Sequence, residues 1–270
     1  MKDTTIIPAN ERELKNRISF DTAIENMLTF AYRTLLKTVY NPESLLDVTL
    51  MPILFTLMFT YLFGGAISGN IESYLPIIIP GILIQTCITS SGNAGTQLRE
   101  DIDKSIFNRF KSMPIARISP LAGVLTADLL RYAIAGAIVF TVGAIIGYRP
   151  SFLKVVVSIE FMMFVGWCLS WLFAFVALTA KSVSSASMYA MLIMFPLTFL
   201  SNAFVPTKTM PKVVRYFAEH INPVSKAITA VREILGNGTI GTDFWIALIG
   251  TFTIFIVSVP LTLWAYNRNM

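Results

Sequence analysis

Charge is scarce in this chain. Only 14% of its 270 residues are Asp, Glu, Lys or Arg, against roughly a quarter in ordinary soluble domains. Chemistry-bearing residues are scarce too. A single histidine, His220, excludes a multi-histidine metal site, and the two cysteines, Cys87 and Cys168, stand far apart in apolar runs, where they read as small core residues. No G-x-x-x-x-G-K-[ST] loop is present to cradle a nucleotide. Neither G-x-S-x-G nor H-E-x-x-H occurs, and no nucleophile stands with a convincing base. No internal repeat is evident, and the first forty residues hold no continuous apolar core of a cleavable signal peptide. Enzymatic chemistry on this chain is therefore not expected.

What is plentiful is apolar residue, 54% of the chain, arranged in blocks long enough to cross a bilayer. The net charge of +5 then reads as basic residues at span ends facing anionic lipid, not as a nucleic-acid surface. The expected fold is an all-α integral membrane domain with six spans over 44–266. They lie near 45–63, 74–94, 119–147, 152–178, 188–200 (starting as early as 183) and 244–266. Six spans put both termini on one side. Thirteen of the 21 lysines and arginines then fall on the terminal side and seven on the other, with Arg131 inside a span. The excess places both termini in the cytoplasm.

The connections carry the information. Residues 1–43 read as a polar tail and an amphipathic helix from Asp21 onward. Its stripe is Ile24, Met27, Leu28, Ala31, Leu35 and Val39, and Asn41-Pro42 stops it. Between spans two and three lies TQLREDIDKSIFNRFKSMPIAR, Thr96 to Arg117. On a helix, Ile102, Ile106, Phe107, Phe110 and Met113 share one face, Arg99, Asp103, Lys104, Asn108, Arg109 and Lys111 take much of the rest, and Pro114 ends it. Such a helix either lies on lipid headgroups or docks as a peg into a soluble partner. Between spans five and six, Pro211 opens one helical pattern. Asn222-Pro223 starts another as cap and first-turn proline, and Gly236 sits at its expected stop. These read as two short helices on, or dipping into, the outer surface.

Of the ionisable residues within or at the edge of spans, four stand out. Asp47 stands near the start of the first. Asp128 and Arg131 are three apart and can pair on one helix face. Glu160 lies some eight residues into the fourth, where a carboxylate is costly; it either faces protein, a partner charge or a wet cavity, or is protonated or hydrogen-bonded within the bundle. The second half of span two is rich in Thr, Ser, Gly and Asn. Its Thr86, Ser90, Ser91 and Asn93 suit either close helix packing or a polar path.

Four segments, NPESLLDVTLMPILFTLMFTYLFGGAI, DIDKSIFNRFKSMPIAR, LAGVLTADLLRY and SNAFVPTKTMPKVVRYFAEHINPVSKAITAVREILGNG, resemble the permease subunit of type-2 ABC exporters. Within these they look most like the daunorubicin-resistance type. The resemblance implies an N-terminal elbow helix, a cytoplasmic coupling helix over 99–114 and an extracellular, re-entrant-like hairpin over 211–236. Asp103, Ile106, Phe107, Arg109, Phe110, Lys111, Met113 and Pro114 would then engage a separately encoded ABC ATPase, present in two copies. ATP and Mg would bind there, and no cofactor would bind this chain. The membrane unit would pair with a second copy or a close paralogue. Spans one, two and five would line a central path for a lipophilic or amphipathic, drug-like substrate leaving the cytoplasm or inner leaflet of a bacterial or archaeal cell membrane. Relatives that move lipid or polysaccharide remain alternatives, as does an ion-coupled secondary transporter.

Overall fold

A computed structural model describes residues 20–104 and 118–269. The described residues are mostly helical, with no strand among them. The helices are α1 (Phe20–Tyr40), α2 (Pro42–Ser68), α3 (Ile71–Asp103), α4 (Ser119–Ile146), α5 (Phe152–Thr179), α6 (Val183–Phe199), α7 (Lys212–Tyr216, continued by a π-helical turn over Phe217–Ile221), α8 (Pro223–Gly236) and α9 (Thr242–Asn269). Five of them, α2, α3, α4, α5 and α9, are long and apolar enough to cross a membrane, so this is a multi-pass membrane protein. The expected fifth span is shorter. α6 is apolar but only 17 residues long, about 25 Å at 1.5 Å per residue.

α3 and α5 form the centre. α3 packs against α2, α4, α5, α6 and α8, while α2 and α9 lie outside and leave most of their apolar surface exposed. The core runs along α3 through Tyr74, Ile78, Ile82 and Ile88 and across to Met162, Val165 and Phe173 of α5. Helix ends follow local chemistry. Asn70 caps α3 by accepting from the Ser73 amide at 2.8 Å, and Ser182 caps α6 by accepting from Ser185 at 3.2 Å. Asn222 caps α8 through Val224 at 3.0 Å. The Asn222 amide also donates to the carbonyls of Leu197 and Leu200, clipping α8 to the end of α6. The left-handed residue that ends α8 is Gly238, at φ +71°, two positions beyond Gly236.

One outcome differs from the sequence pattern. The apolar stripe of α1 is split: Ile24, Leu28 and Val39 are exposed, while Phe30, Ala31, Thr34 and Thr38 are buried where α1 packs on α4. Of the two alternatives for α8, it dips into the bundle and does not rest on its surface. Val224, Ala227, Ile228, Ala230 and Val231 are fully buried among α3, α5 and α9. Its last carbonyls are met from α5, where the Lys154 ammonium donates to Leu235 at 3.3 Å and Gly236 at 2.5 Å.

Candidate functional site

Eight polar residues of α3 recur at helical spacing: Gln85, Thr86, Thr89, Ser90, Asn93, Thr96, Gln97 and Glu100. At 100° per residue they fall within one face, and at 1.5 Å per residue they span about 22 Å. The hydroxyls of Thr86 and Thr96 are satisfied by the preceding turn, donating to Ile82 at 2.8 Å and Gly92 at 3.2 Å. This lets them sit in an apolar helix while their lone pairs stay open to an accepted bond.

The lower part of this stripe forms one wall of an open cleft of about 640 Å³, facing the first turns of α2 and one side of α6. α2 contributes Leu46, Asp47 and Met51, α3 contributes Gly92, Asn93, Thr96, Gln97 and Glu100, and α6 contributes Ser187, Ala190, Met191 and Met194. That volume is in the range of small-molecule sites. Asp47 and Glu100 supply two carboxylates, Glu100 paired with Lys104 at 2.5 Å, and no lysine or arginine is among the described residues that line the cleft. The Asn93 amide donates to Asp47 Oδ2 at 2.6 Å, fixing the carboxylate at the α2–α3 seam. The thioethers of Met51, Met191 and Met194 give an adaptable apolar wall. Above Asp47 the seam continues as a smaller pocket bounded by Pro52 and Phe55 of α2 and by Gln85, Thr86, Thr89 and Ser90 of α3.

Behind the cleft, charged side chains tie the lower end of α3 to its neighbours. Lys37 of α1 meets Asp101 at 2.8 Å. Arg131 of α4 pairs with Asp128 at 3.0 Å, donates to the Thr38 hydroxyl of α1, and reaches Gln97 Oε1 at 3.4 Å. Arg99 bridges Asp103 at 2.7 Å and the Lys181 carbonyl at 3.2 Å. Just outside the last turn of α3, Lys104 is raised above the ordinary lysine range by its hydrogen bond to Glu100. The upper end of α3 is tied as well. Tyr74 donates to the Phe204 carbonyl at 2.9 Å, and Arg232 of α8 donates to the carbonyls of Ile77 at 2.8 Å and Asn202 at 2.6 Å.

The residues expected to matter are therefore distributed unevenly. Thr86 and Ser90 line the upper pocket, and Asn93 and Asp47 the cleft. Ser91 does not. It is fully buried on the opposite side of α3, bonded to the Tyr132 hydroxyl at 2.7 Å and to the Gly166 carbonyl at 3.2 Å, which makes it a joint between α3, α4 and α5. Asp128 and Arg131 are buried in the α1–α4 contact behind the cleft, which Arg131 meets only through Gln97. Glu160 is exposed on the outside of α5 rather than turned to protein or to the cleft. Asp103 ends α3, whereas Ile106, Phe107, Arg109, Phe110, Lys111, Met113 and Pro114 lie outside the described residues. Gln85, Thr89, Gln97 and Glu100 were not singled out from the sequence, although their three-and-four spacing within a span was the available signal. Among the described residues no group of His, Cys, Asp or Glu could hold a metal ion.

Comparison with known proteins agrees with this architecture. Residues 25–235 match the family model described as ABC-2 type transporter. The chain is 36% identical over 271 residues to the daunorubicin resistance ABC transporter permease protein DrrB1 of Streptomyces coeruleorubidus, covering 98% of this chain and 93% of that one. It is 25% identical over 230 residues to the probable doxorubicin resistance ABC transporter permease protein DrrC of Mycobacterium tuberculosis, covering 83% and 82%. With the family match extending over most of its length and a relative this similar from end to end, the chain belongs to the ABC-2 type transporter family.

Proposed function

We propose that this chain is the membrane-spanning permease of an ATP-driven exporter for a lipophilic, cationic or amphipathic substrate. Two ABC ATPase subunits bind ATP and Mg and supply the energy, and the chain itself catalyses nothing. In this reading α6 is the sixth span, short because the bilayer thins or the helix ends snorkel around it. Both termini are cytoplasmic, α1 is the elbow helix, 99–114 is the coupling helix and 211–236 is the outer hairpin. A second copy or close paralogue completes the path by facing α2 and α6.

The observation that carries the reading is the cleft between α2, α3 and α6 beside the C-terminal half of α3, with two carboxylates and no lysine or arginine among the described residues of its lining. Apolar cargo carrying positive charge is favoured there. An anionic lipid headgroup or an acidic polysaccharide would meet the like charge of Asp47, which disfavours those alternatives. The names of the relatives, permeases for daunorubicin and doxorubicin resistance, point the same way.

The test is uptake of doxorubicin by inverted membrane vesicles holding this chain and an ABC ATPase encoded beside it. ATP should drive accumulation, and Phe107→Ala/Phe110→Ala should abolish it while leaving the chain in the membrane at parental level. Uptake that ignores ATP, or that follows an ion gradient without the ATPase, would refute the reading in favour of a secondary transporter. ATP-driven uptake unchanged by the double variant would refute the docking role of that segment.

A further inference from the structure

Asp47 and Met51 line both the cleft and the pocket above it between α2 and α3, and that pocket is small. Its volume is about 20 Å³, room for a single water-sized group. Gln85 forms part of its wall near the middle of α3. The side chain is only 8% exposed, and its Oε1 has no hydrogen-bond partner. Neither end of the amide bonds to any described residue. An unsatisfied amide inside an apolar span is costly, so its presence calls for a polar occupant. A half-turn of the terminal torsion exchanges oxygen and nitrogen at little cost, so the amide can turn its oxygen to the pocket.

The other polar groups around the pocket specify the occupant's chemistry. Asp47 is a carboxylate, acceptor only. Thr86 spends its hydroxyl proton on the Ile82 carbonyl at 2.8 Å and keeps its lone pairs. Ser90 adds a further hydroxyl, and no lysine or arginine is present. Met51, Pro52 and Phe55 supply the apolar side. The group that satisfies this set is small, positively charged and rich in donors.

We propose that this pocket receives a protonated amine of the exported molecule, with Asp47 and Gln85 as the residues that select it. Its alkyl or ring portion lies in the methionine-lined cleft below. The –NH₃⁺ group matches a water molecule in size and offers three donors. A quaternary ammonium carries the same charge but has no donor and is several times larger, so it stays in the cleft. This inference rests on the export reading and makes it specific, because charge alone would not separate the two cations.

The experiment uses the permease–ATPase complex in lipid nanodiscs and two probes, dodecylammonium and dodecyltrimethylammonium, below their micellar concentrations. Half-maximal stimulation of ATP hydrolysis and direct binding are measured for each. Lipid partitioning is the same for parent and variant, so the ratio of the two probes, compared between proteins, reports the pocket. The parent should favour the primary ammonium by about tenfold, the range of a hydrogen bond to a charged group. Gln85→Leu and Gln85→Met should abolish that preference and leave the quaternary probe unchanged, and Asp47→Asn should weaken both probes. A preference retained by both Gln85 variants would overturn the proposal and leave the pocket to a structural water. Dissociation of the variant complexes into single permease chains with the preference intact would assign the amide to contact between copies and also overturn it. ATP-driven doxorubicin export by a parent that shows no amine preference would refute the selection site alone. Absence of ATP-driven export would refute the export reading, and this inference with it.

Discussion

Replacing Gly81 by alanine tests the packing that holds α3 and its polar face in place. A Cβ at this position would lie 2.0 Å from the Ala203 carbonyl oxygen, 2.7 Å from its carbon and 2.9 Å from its Cα. All three are backbone atoms, so no side-chain rotation relieves the overlap. To restore an ordinary contact near 3.4 Å, the strand of chain after α6 must retreat by more than an ångström. That retreat pulls on the Tyr74–Phe204 bond of 2.9 Å and the Arg232–Asn202 bond of 2.6 Å. Overpacking costs about 1–3 kcal/mol, two weakened hydrogen bonds about 1 kcal/mol each, and the better helix propensity of alanine returns about 1 kcal/mol. The expected net loss is about 2–4 kcal/mol, or a fall of about 5–15 °C in the unfolding midpoint at 2–4 °C per kcal/mol. Thermal unfolding of the purified chain in nanodiscs measures it. Gly236→Ala, where nothing lies within 4 Å of the added carbon, is the control and should match or slightly exceed the parent. A Gly81→Ala protein that unfolds with the parent would refute the close approach and, with it, the fixed placement of α3 one turn from Gln85.

The buried Asp128–Arg131 pair, at 0% and 5% exposure, should show strong coupling. Arg131→Met strands a buried carboxylate and should cost about 3–5 kcal/mol, while Asp128→Leu/Arg131→Met should cost clearly less, as a double-mutant cycle on chemical unfolding would show. Lys154→Met removes the donor at the last carbonyls of α8 and should speed hydrogen exchange over residues 233–238, leaving α3 unchanged. On the outer segment, Glu219 is held below the ordinary carboxylate range by hydrogen bonds from Arg215 and then Thr207. Its folded pKa is depressed, so the contribution is complete above the ordinary carboxylate pKa and is lost as pH falls through the lowered value. Exchange over residues 212–221 should therefore rise in acid, and Arg215→Ala should flatten that dependence.

Much of the bundle was legible because apolar blocks and helix caps are local signals. Asn222-Pro223 opens α8 where the cap chemistry places it, and Asp128 and Arg131 pair because three residues bring them to one face. What was illegible depends on knowing which apolar face meets protein. In a soluble helix the apolar stripe marks the buried side. In a membrane the lipid-facing side is equally apolar, so the stripe of α1 mixes exposed Ile24, Leu28 and Val39 with buried Ala31. Ser90 and Ser91 show the same limit at one residue's resolution. They are 100° apart on the helix; one lines the α2–α3 pocket and the other joins Tyr132. Charge in lipid is costly, so Glu160 is expected to face protein, a partner charge or a wet cavity, or to be neutralised in the bundle. It stands exposed on the outside of α5, and the local sequence holds no signal for that orientation.

α3 explains why these features belong to one device. At 33 residues it is about 50 Å long, well beyond the thickness of the hydrocarbon layer. Its upper part is fastened to α8 and to the chain after α6 through Tyr74, Gly81 and Arg232. Its lower part is joined to α1 by Lys37, to α4 by Arg131 and to the α5–α6 connection through Arg99. Across the cleft, by contrast, the hydrogen bond of Asn93 to Asp47 is the polar tie that α3 makes to α2. The charged ties join α3 to α1 and α4, whereas its seam with α2 is packed through apolar side chains such as Phe55 and Phe59. On the export reading, a push delivered at the lower end of α3 reaches the cleft. Cargo that binds the carboxylate of Asp47 competes with Asn93 for it, so occupancy of the cleft and opening of the seam favour one another. That reciprocity follows from linkage alone and needs no separate sensor for the cargo.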